Sequence, residues 1–283
     1  MNPRILVLGA DGQLGQEIQR LYKNINFEFI FANRQYLDIA NYSNLVDCVE
    51  GLKPDWIINC AAFTNVDLAE IEKDACWGTN AQGPRNIAII CSNKKIRLIH
   101  ISTDSVFASE NHLFNKISDI TNPINEYSRS KVAGERAIIE NSNCDYWIIR
   151  TAWLYGKGGR NFVSAILGKL QMKRPFHVVE DQFGQPTWTQ NVVQAIFGIL
   201  ESITNPGILH IATPGVTSRA EWARSIAEIC NYDASLILPI KTTQREGVAI
   251  RPKYSLIEPS KIEGTRNDWL IPPEVSLSNF VTS

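Results

Sequence analysis

The chain predicts an α/β fold: a doubly wound parallel sheet with a smaller, mixed C-terminal lobe for substrate. Three observations predict it. Short β-rich runs alternate with helix-period segments up to Arg150, the rhythm of strand-helix-strand units. Several of those runs are apolar on both faces, as strands are when helices cover both sides of a sheet. A G-x-x-G-x-x-G stretch, Gly9, Gly12 and Gly15, joins the first strand to the first helix. Together these describe a Rossmann-type sheet.

The elements follow in order. "RILVLG" reads as a strand, and Gln13 to Lys23 as a helix with Leu14, Ile18 and Leu21 on one face. "FEFIFAN" is a second strand. "SNLVDCVEGL" is a helix for which Ser43 is the expected N-cap. "DWIINCAA" and "IRLIHIS" are strands separated by a helix over Asn80 to Ser92. A helix holding Tyr127 precedes "DYWIIR", the fifth strand. Beyond Arg150 the rhythm loosens. "GKGGRN" breaks the chain, and a helix starts near Phe162. "PFHVV" and "GILHIA" are strands, and Asn191 to Leu200 and Arg219 to Cys230 are helices. Prolines at 239, 252, 259, 272 and 273 predict an irregular lobe from Leu236 onward. The expected division is 1–150 and about 185–211 for the dinucleotide, with about 151–184 and 212–283 for substrate.

Composition excludes several classes. A net charge of -1 gives no electrostatic reason to bind nucleic acid or an anionic membrane. No apolar run approaches the roughly 20 residues of a spanning helix. The six cysteines form no Cys-x-x-Cys pair and lie in apolar patterns, as reduced core thiols do. The four histidines, 100, 112, 177 and 210, are scattered, so no metal site is expected. These features predict a cytoplasmic protein.

The glycine turn has a physical reading. It gives the backbone its angles and lets a pyrophosphate approach the helix N-terminus, where free N–H groups and the dipole favour anions. Gly9, Gly12 and Gly15 are therefore cofactor candidates. Strand two ends in Asn33 and Arg34, where a cofactor with a free ribose 2'-hydroxyl usually meets an acid. Either Arg34 pairs with a 2'-phosphate or it is a solvated arginine after an edge strand. The balance leans mildly to NADP(H) over NAD(H). At the end of strand three, Ala61 and Ala62 would let a cofactor lie against the backbone; close helix packing is the other reading. Strand four ends in Ser102, Thr103 and Asp104, either a reactive rim or a turn cluster.

Tyr127 and Lys131 lie one helical turn apart and share a face. A free phenol has a pKa near 10, and a neighbouring ammonium lowers it. Such a tyrosine can hand a proton to a developing alkoxide. Alone, the pair reads as a surface i,i+4 contact. After a glycine turn and a Ser-Thr rim it reads as catalytic.

With these marks the chain resembles the extended short-chain dehydrogenase/reductase family, and within it the branch that reduces nucleotide-linked 4-keto sugars. "GADGQLGQE", "NCAAFTNVDLAE", "ISTDSVF", "NPINEYSRSKVAGE", "IRTAWLYG", "EDQFGQPT" and "IRPKYSL" carry the resemblance in family order over nearly the whole chain. It implies reduction of the C4 ketone of dTDP-4-dehydro-L-rhamnose to dTDP-L-rhamnose by NAD(P)H. Tyr127 would be the proton donor. Thr103 would bond the reacting oxygen, and Asp104 would contact the sugar or tune the tyrosine. Lys131 would hold the ribose and depress the Tyr127 pKa. Gly12, Gln13 and Leu14 would meet the pyrophosphate, and Asp38 and Ile39 the adenine. Ala62, Phe63, Thr64 and Ile101 would line the cofactor, and Trp153 would contact the nucleotide-sugar.

Three positions depart from the family pattern. Ser105 replaces a usual tyrosine, "LIEPSKI" replaces "LDTSKL", and Trp188 is unusually bulky; all three are expected near the substrate. Some relatives bind magnesium between subunits through glutamates. Glu17 matches one of them and the others find no match, so no metal is expected. The expected partner is the nucleotide-sugar, acted on by a monomer or homodimer. The same fold also serves nucleotide-sugar epimerases and dehydratases, reductases of other 4-keto sugars, and non-catalytic regulatory subunits.

Overall fold

The computed structural model describes residues 2–111, 113–141, 143–202, 205–244, 249–263, 265 and 267–283. One expected histidine, His112, lies outside them. Among the described residues the central sheet has six strands: β1 Arg4–Leu8, β2 Glu28–Ala32, β3 Trp56–Asn59, β4 Arg97–Thr103, β5 Tyr146–Thr151 and β6 Gly207–His210. All pair in parallel, in the order β6-β5-β4-β3-β1-β2. β1 therefore lies between β2 and β3, and the connections turn in opposite directions on its two sides. The crevice at such a switch point is where doubly wound sheets bind ligands.

Helices cover both faces. On one, α1 (Gln13–Leu21) and α6 (Thr189–Ser202) bury Leu14, Ile18 and Val192 to Leu200 against Ile5, Val7, Ile58 and Ile149. On the other, α2 (Tyr42–Leu52), α3 (Gly83–Lys94) and α4 (Glu126–Asn141) cover Leu6, Ile57, Leu98 and Ile148. Alternate residues of one strand thus serve opposite layers, which is why the strands are apolar at nearly every position. α3 continues a one-turn helix, Lys73–Trp77, through a π turn at Gly78–Gln82. α2 is capped by Asn41, whose side chain accepts from Asn44 N–H, and not by the expected Ser43. Ser43 falls inside the first turn, where its hydroxyl donates to Asn41 Oδ1 instead.

The lobe has its own core: α5 (Phe162–Gln171), α7 (Arg219–Ile229), the pair Phe176–Val179 with Ile237–Ile240, and α8 (Pro273–Thr282). The expectation of irregular structure after Leu236 misses both a strand containing Pro239 and this terminal helix. Pro273 opens α8 at a position whose N–H has no intrahelical partner, so proline costs nothing there. Trp188 belongs to the lobe core, packed edge-on against Phe280, and not to the substrate side. Ile262 and Trp269, late in the chain, return to pack on the sheet.

Candidate active site

At the phosphate end Gly9 has φ +75°, and a Cβ there would lie 2.5 Å from Ala61 N. A Cβ on Gly15 would lie 2.5 Å from the Gly9 carbonyl oxygen. The turn therefore closes only without side chains. Gly12 donates to the Gly9 carbonyl at 3.0 Å and is the N-cap of α1. No side chain caps α1 and no acid stands in its first turn, so the first N–H groups and the dipole face the crevice uncompensated. Gln13 Nε2 is buried without a hydrogen-bond partner. An orphaned donor beside an uncapped helix start suits a dinucleotide's pyrophosphate. Leu14 points into the core, so only its backbone can serve the crevice.

Ala61, Ala62 and Phe63 follow β3 as partly exposed backbone, with Thr64 exposed. The loop is held by Asn80, in the π turn: its Oδ1 accepts from Phe63 N–H at 2.8 Å and its Nδ2 donates to Phe63 O at 3.0 Å. The same Nδ2 donates to Ser130 Oγ of α4 at 3.1 Å. π turns often mark functional sites, and this one ties the loop after β3 to the tyrosine helix. Gly134 lets the two helices meet there, since its Cβ would strike the Asn80 carbonyl.

Beyond β2, Asn33 Oδ1 accepts from Tyr36 N–H. Arg34 is 71 % exposed and reaches Asp38 only loosely, at 3.8 Å. Ile39 is buried, with its carbonyl held by Asn86. The loop "GKGGR", read from sequence only as a break in the chain, overhangs this end: a Cβ on Gly158 would meet Gln16, and one on Gly159 would touch Gln13. Its glycines are the available sequence signal.

At the reactive end, Thr103, Asp104 and Tyr127 converge. Asn125 caps α4 by accepting from Ser128 N–H at 2.8 Å, which places Tyr127 in the first turn. Thr103 Oγ1 donates to Asp104 Oδ1 at 3.0 Å and accepts from Ser105 N–H at 3.1 Å. It lies close enough to the Tyr127 hydroxyl to pull the phenol's pKa down. Asp104 Oδ2 is buried without a hydrogen-bond partner. Burial raises the Asp104 pKa to about 6, against the opposing pull of Ser255, Thr103 and Arg219. Ser105 shares a 2.5 Å hydrogen bond with Ser128 of α4, so it closes the base of the tyrosine turn.

The expectation for Lys131 needs correction. Its Nζ donates to Ile101 O at 2.7 Å and lies 3.4 Å from His100 Nε2, and the groups that shift the Tyr127 pKa are others. Lys131 is 1 % exposed, and burial lowers its pKa to about 8. Tyr127 is pushed up to about 12, by burial first and by Asp104 and Cys76 next, with Thr103 and Arg251 opposing. Tyr127 is only partly shielded from solvent but is ringed by protein, and burial outweighs any help from the lysine.

Trp153 lies at the lobe side with φ +40°, a conformation a bulky residue rarely adopts. Gly184 makes room for its indole, and the Arg219 guanidinium stacks over it at 3.6 Å. Arg219 had no sequence signal beyond its place at a helix start. Behind the site, Glu135 and Arg150 form a buried bidentate pair at 3.0 and 2.7 Å, and Ser102 donates to Glu135 at 2.5 Å. Glu17 is buried and neutralised by Arg20 at 2.6 Å, which also donates to Gln190. Among the described residues no group of three His, Cys, Asp or Glu could hold a metal ion.

An uncapped glycine turn at the switch point, with a buried Thr-Tyr-Lys cluster at the next strand end, defines a reductase of the extended short-chain dehydrogenase/reductase class. A family model described as RmlD substrate binding domain matches residues 3–281. A dTDP-4-keto-6-deoxy-D-glucose reductase of Streptomyces niveus is 34% identical over 91% of this chain and 89% of its own. A dTDP-4-dehydrorhamnose reductase of Mycolicibacterium smegmatis is 35% identical over 91% and 78%. The structure of the Bacillus anthracis dTDP-4-dehydrorhamnose reductase in complex with NADP superposes with a TM-score of 0.93 at 34% identity, covering 100% of this chain and 99% of that one. The chain belongs to the dTDP-4-dehydrorhamnose reductase family of NAD(P)H-dependent oxidoreductases.

Proposed function

We propose that the protein reduces the C4 ketone of dTDP-4-dehydro-L-rhamnose, giving dTDP-L-rhamnose, with NADPH preferred over NADH. The observation that carries this is the approach of Thr103 to the Tyr127 hydroxyl at the strand edge, beside the uncapped α1 turn. When bound, the reduced nicotinamide supplies the hydride. The high pKa of Tyr127 keeps it protonated at neutral pH, the form a donor needs, and an alkoxide is base enough to take that proton. Thr103 holds the reacting oxygen against the phenol. Lys131 clamps the ribose from its place against Ile101, and Asp104 and Trp153 meet the sugar-nucleotide. Gly9, Gly12, Gln13, Leu14 and Gly15 cradle the pyrophosphate by backbone and amide donors. Asn33, Asp38 and Ile39 border the adenine, and Ala61 to Thr64 and Ile101 line the cofactor.

Arg34, exposed and loosely paired, is free to swing to a 2'-phosphate. Residues 1–150 and about 185–211 serve the dinucleotide, and about 151–184 and 212–283 serve the sugar. None of the cysteines is in a disulfide among the described residues, and we read the protein as cytoplasmic. No described helix is long and apolar enough to cross a membrane. The chain is read as a monomer or homodimer that needs no metal.

A second reading, reduction of a D-gluco 4-keto-6-deoxy sugar, is favoured by the name of the Streptomyces niveus relative. One assay separates them. NADPH oxidation is followed with dTDP-4-dehydro-L-rhamnose, dTDP-4-keto-6-deoxy-D-glucose, and UDP- or GDP-linked analogues. Turnover of the L-sugar at the highest kcat/KM is expected; faster D-gluco turnover reverses the assignment, and retention of an oxidised cofactor through turnover points to an epimerase.

A further inference from the structure

On the face that β3 and β4 turn to α4, two polar residues stand beside the apolar Ile57 and Leu98. Asn59 and His100 are register partners on these strands, 0 % and 1 % exposed. Neither belongs to the machinery assigned above, yet both have tightly defined partners. Ala61 N–H donates to Asn59 Oδ1 at 3.1 Å. A backbone N–H can only donate, so it fixes the orientation of the Asn59 amide. The amide Nδ2 then faces His100 Nδ1 at 3.0 Å, and that ring nitrogen must accept. A neutral imidazole with Nδ1 accepting carries its proton on Nε2. Nε2 is 3.4 Å from Lys131 Nζ, and Nζ donates to Ile101 O at 2.7 Å.

An Nε2–H aimed at an ammonium opposes donor to donor. Aimed at a neutral amine it finds a lone pair. We infer that His100, fixed in its Nε2–H tautomer by Asn59, is a positioning residue that aims the Lys131 amine and loosens its hold on the proton. The chain of donors runs in one direction: Ala61 backbone, Asn59, His100, Lys131, Ile101 carbonyl. Lys131 carries its ammonium charge at neutral pH against this bias, and gives it up at a lower pH than it would without His100. The other groups facing Lys131 are Glu135 on its own helix, Cys60 after β3 and Cys76 in the helix before the π turn. Each of these three favours the ammonium. An Nε2–H facing Nζ opposes them, in the same direction as burial, and Lys131 in turn adds to the burial that holds the His100 pKa well below the usual histidine range.

The inference rests on the reductase reading only for its kinetic arm. The first measurement needs no turnover: long-range 1H–15N correlation spectra of histidine-labelled wild-type protein. His100 should show a pyridine-type Nδ1 and a pyrrole-type Nε2; a proton on Nδ1 overturns the proposal. The second uses Asn59→Asp, whose carboxylate accepts from Nδ1–H and reverses the tautomer, and His100→Asn, which keeps a partner for Asn59 and loses the one for Lys131. Both should move the alkaline limb of NADPH binding and of kcat upward by about one pH unit, the scale of one gained or lost partner. Limbs that stay where the wild-type has them overturn the proposal even if both variants bind cofactor less tightly. Should no 4-keto sugar be turned over, the spectra and the binding limb still decide the question.

Discussion

The two ends of the crevice are built by different physics. The phosphate end works by what is missing: no Cβ at Gly9 or Gly15, no cap on α1, no acid in its first turn. The reactive end works by what is buried: Tyr127, Lys131, Asp104 and His100 all have pKa values displaced by loss of water. Backbone donors need no titration and tolerate solvent. Titrating groups need a shaped, drier environment, and that environment requires β4, α4 and the lobe to be in place together. Substitutions at the first end should be read in cofactor affinity, and at the second in turnover.

The largest effect is expected at Tyr127. Tyr127→Phe should lower kcat about a hundred- to ten-thousandfold, the usual range for a lost general acid, with cofactor affinity nearly intact by fluorescence titration. Retained turnover removes the donor role. Glu135→Gln comes next. It leaves Arg150 charged and buried without its bidentate partner and should cost about 3–5 kcal/mol in urea unfolding, the range for breaking a buried pair. A loss near that of a surface pair would mean the Phe107 ring and His210 suffice for the guanidinium. Gly9→Ala should cost roughly 1–3 kcal/mol for the strained φ alone, and more for the contact with Ala61. Its effect should fall mainly on the Kd for the dinucleotide; a drop in kcat at saturating cofactor would merge the two ends. The smallest effect is at Arg34. Arg34→Ala should weaken NADPH by at most about tenfold, or ~1.4 kcal/mol, and leave NADH unchanged. Equal changes for both cofactors would make Arg34 a solvated edge residue.

Much of the sheet was legible because strand and helix periods differ and every strand of the first half ends at a turn signal. Helix ends were less so. Ser43 and Asn41 are both good caps by residue type, and only the path of the chain selects Asn41. Proline was read as a breaker after Leu236, yet Pro239 lies in a short parallel pair and Pro273 opens a helix. Residue type does not say whether the N–H that proline lacks would have had a partner. In the site, the glycines, Thr103 and Tyr127 were legible from spacing. Asn80 was not, because a lone asparagine in a helix gives no sign that a π turn will aim it at another loop. The direction of Lys131 was misread for a related reason: i,i+4 spacing puts two side chains on one face but does not say what else that face meets.

By itself the sequence determined the layer architecture, the side-chain-free turn at Gly9 to Gly15 and the pairing of Tyr127 with Lys131 on one helix face. These depend on local sterics and on periods of two and 3.6, which a few neighbouring residues suffice to express. Tertiary structure alone decided that Lys131 turns to Ile101 and His100, that Arg219 stacks on Trp153, and that the 156–160 loop overhangs α1. Those contacts join residues 30 or more positions apart or cross from sheet to lobe. Their geometry is set by how whole layers pack, and no local pattern in the chain encodes it.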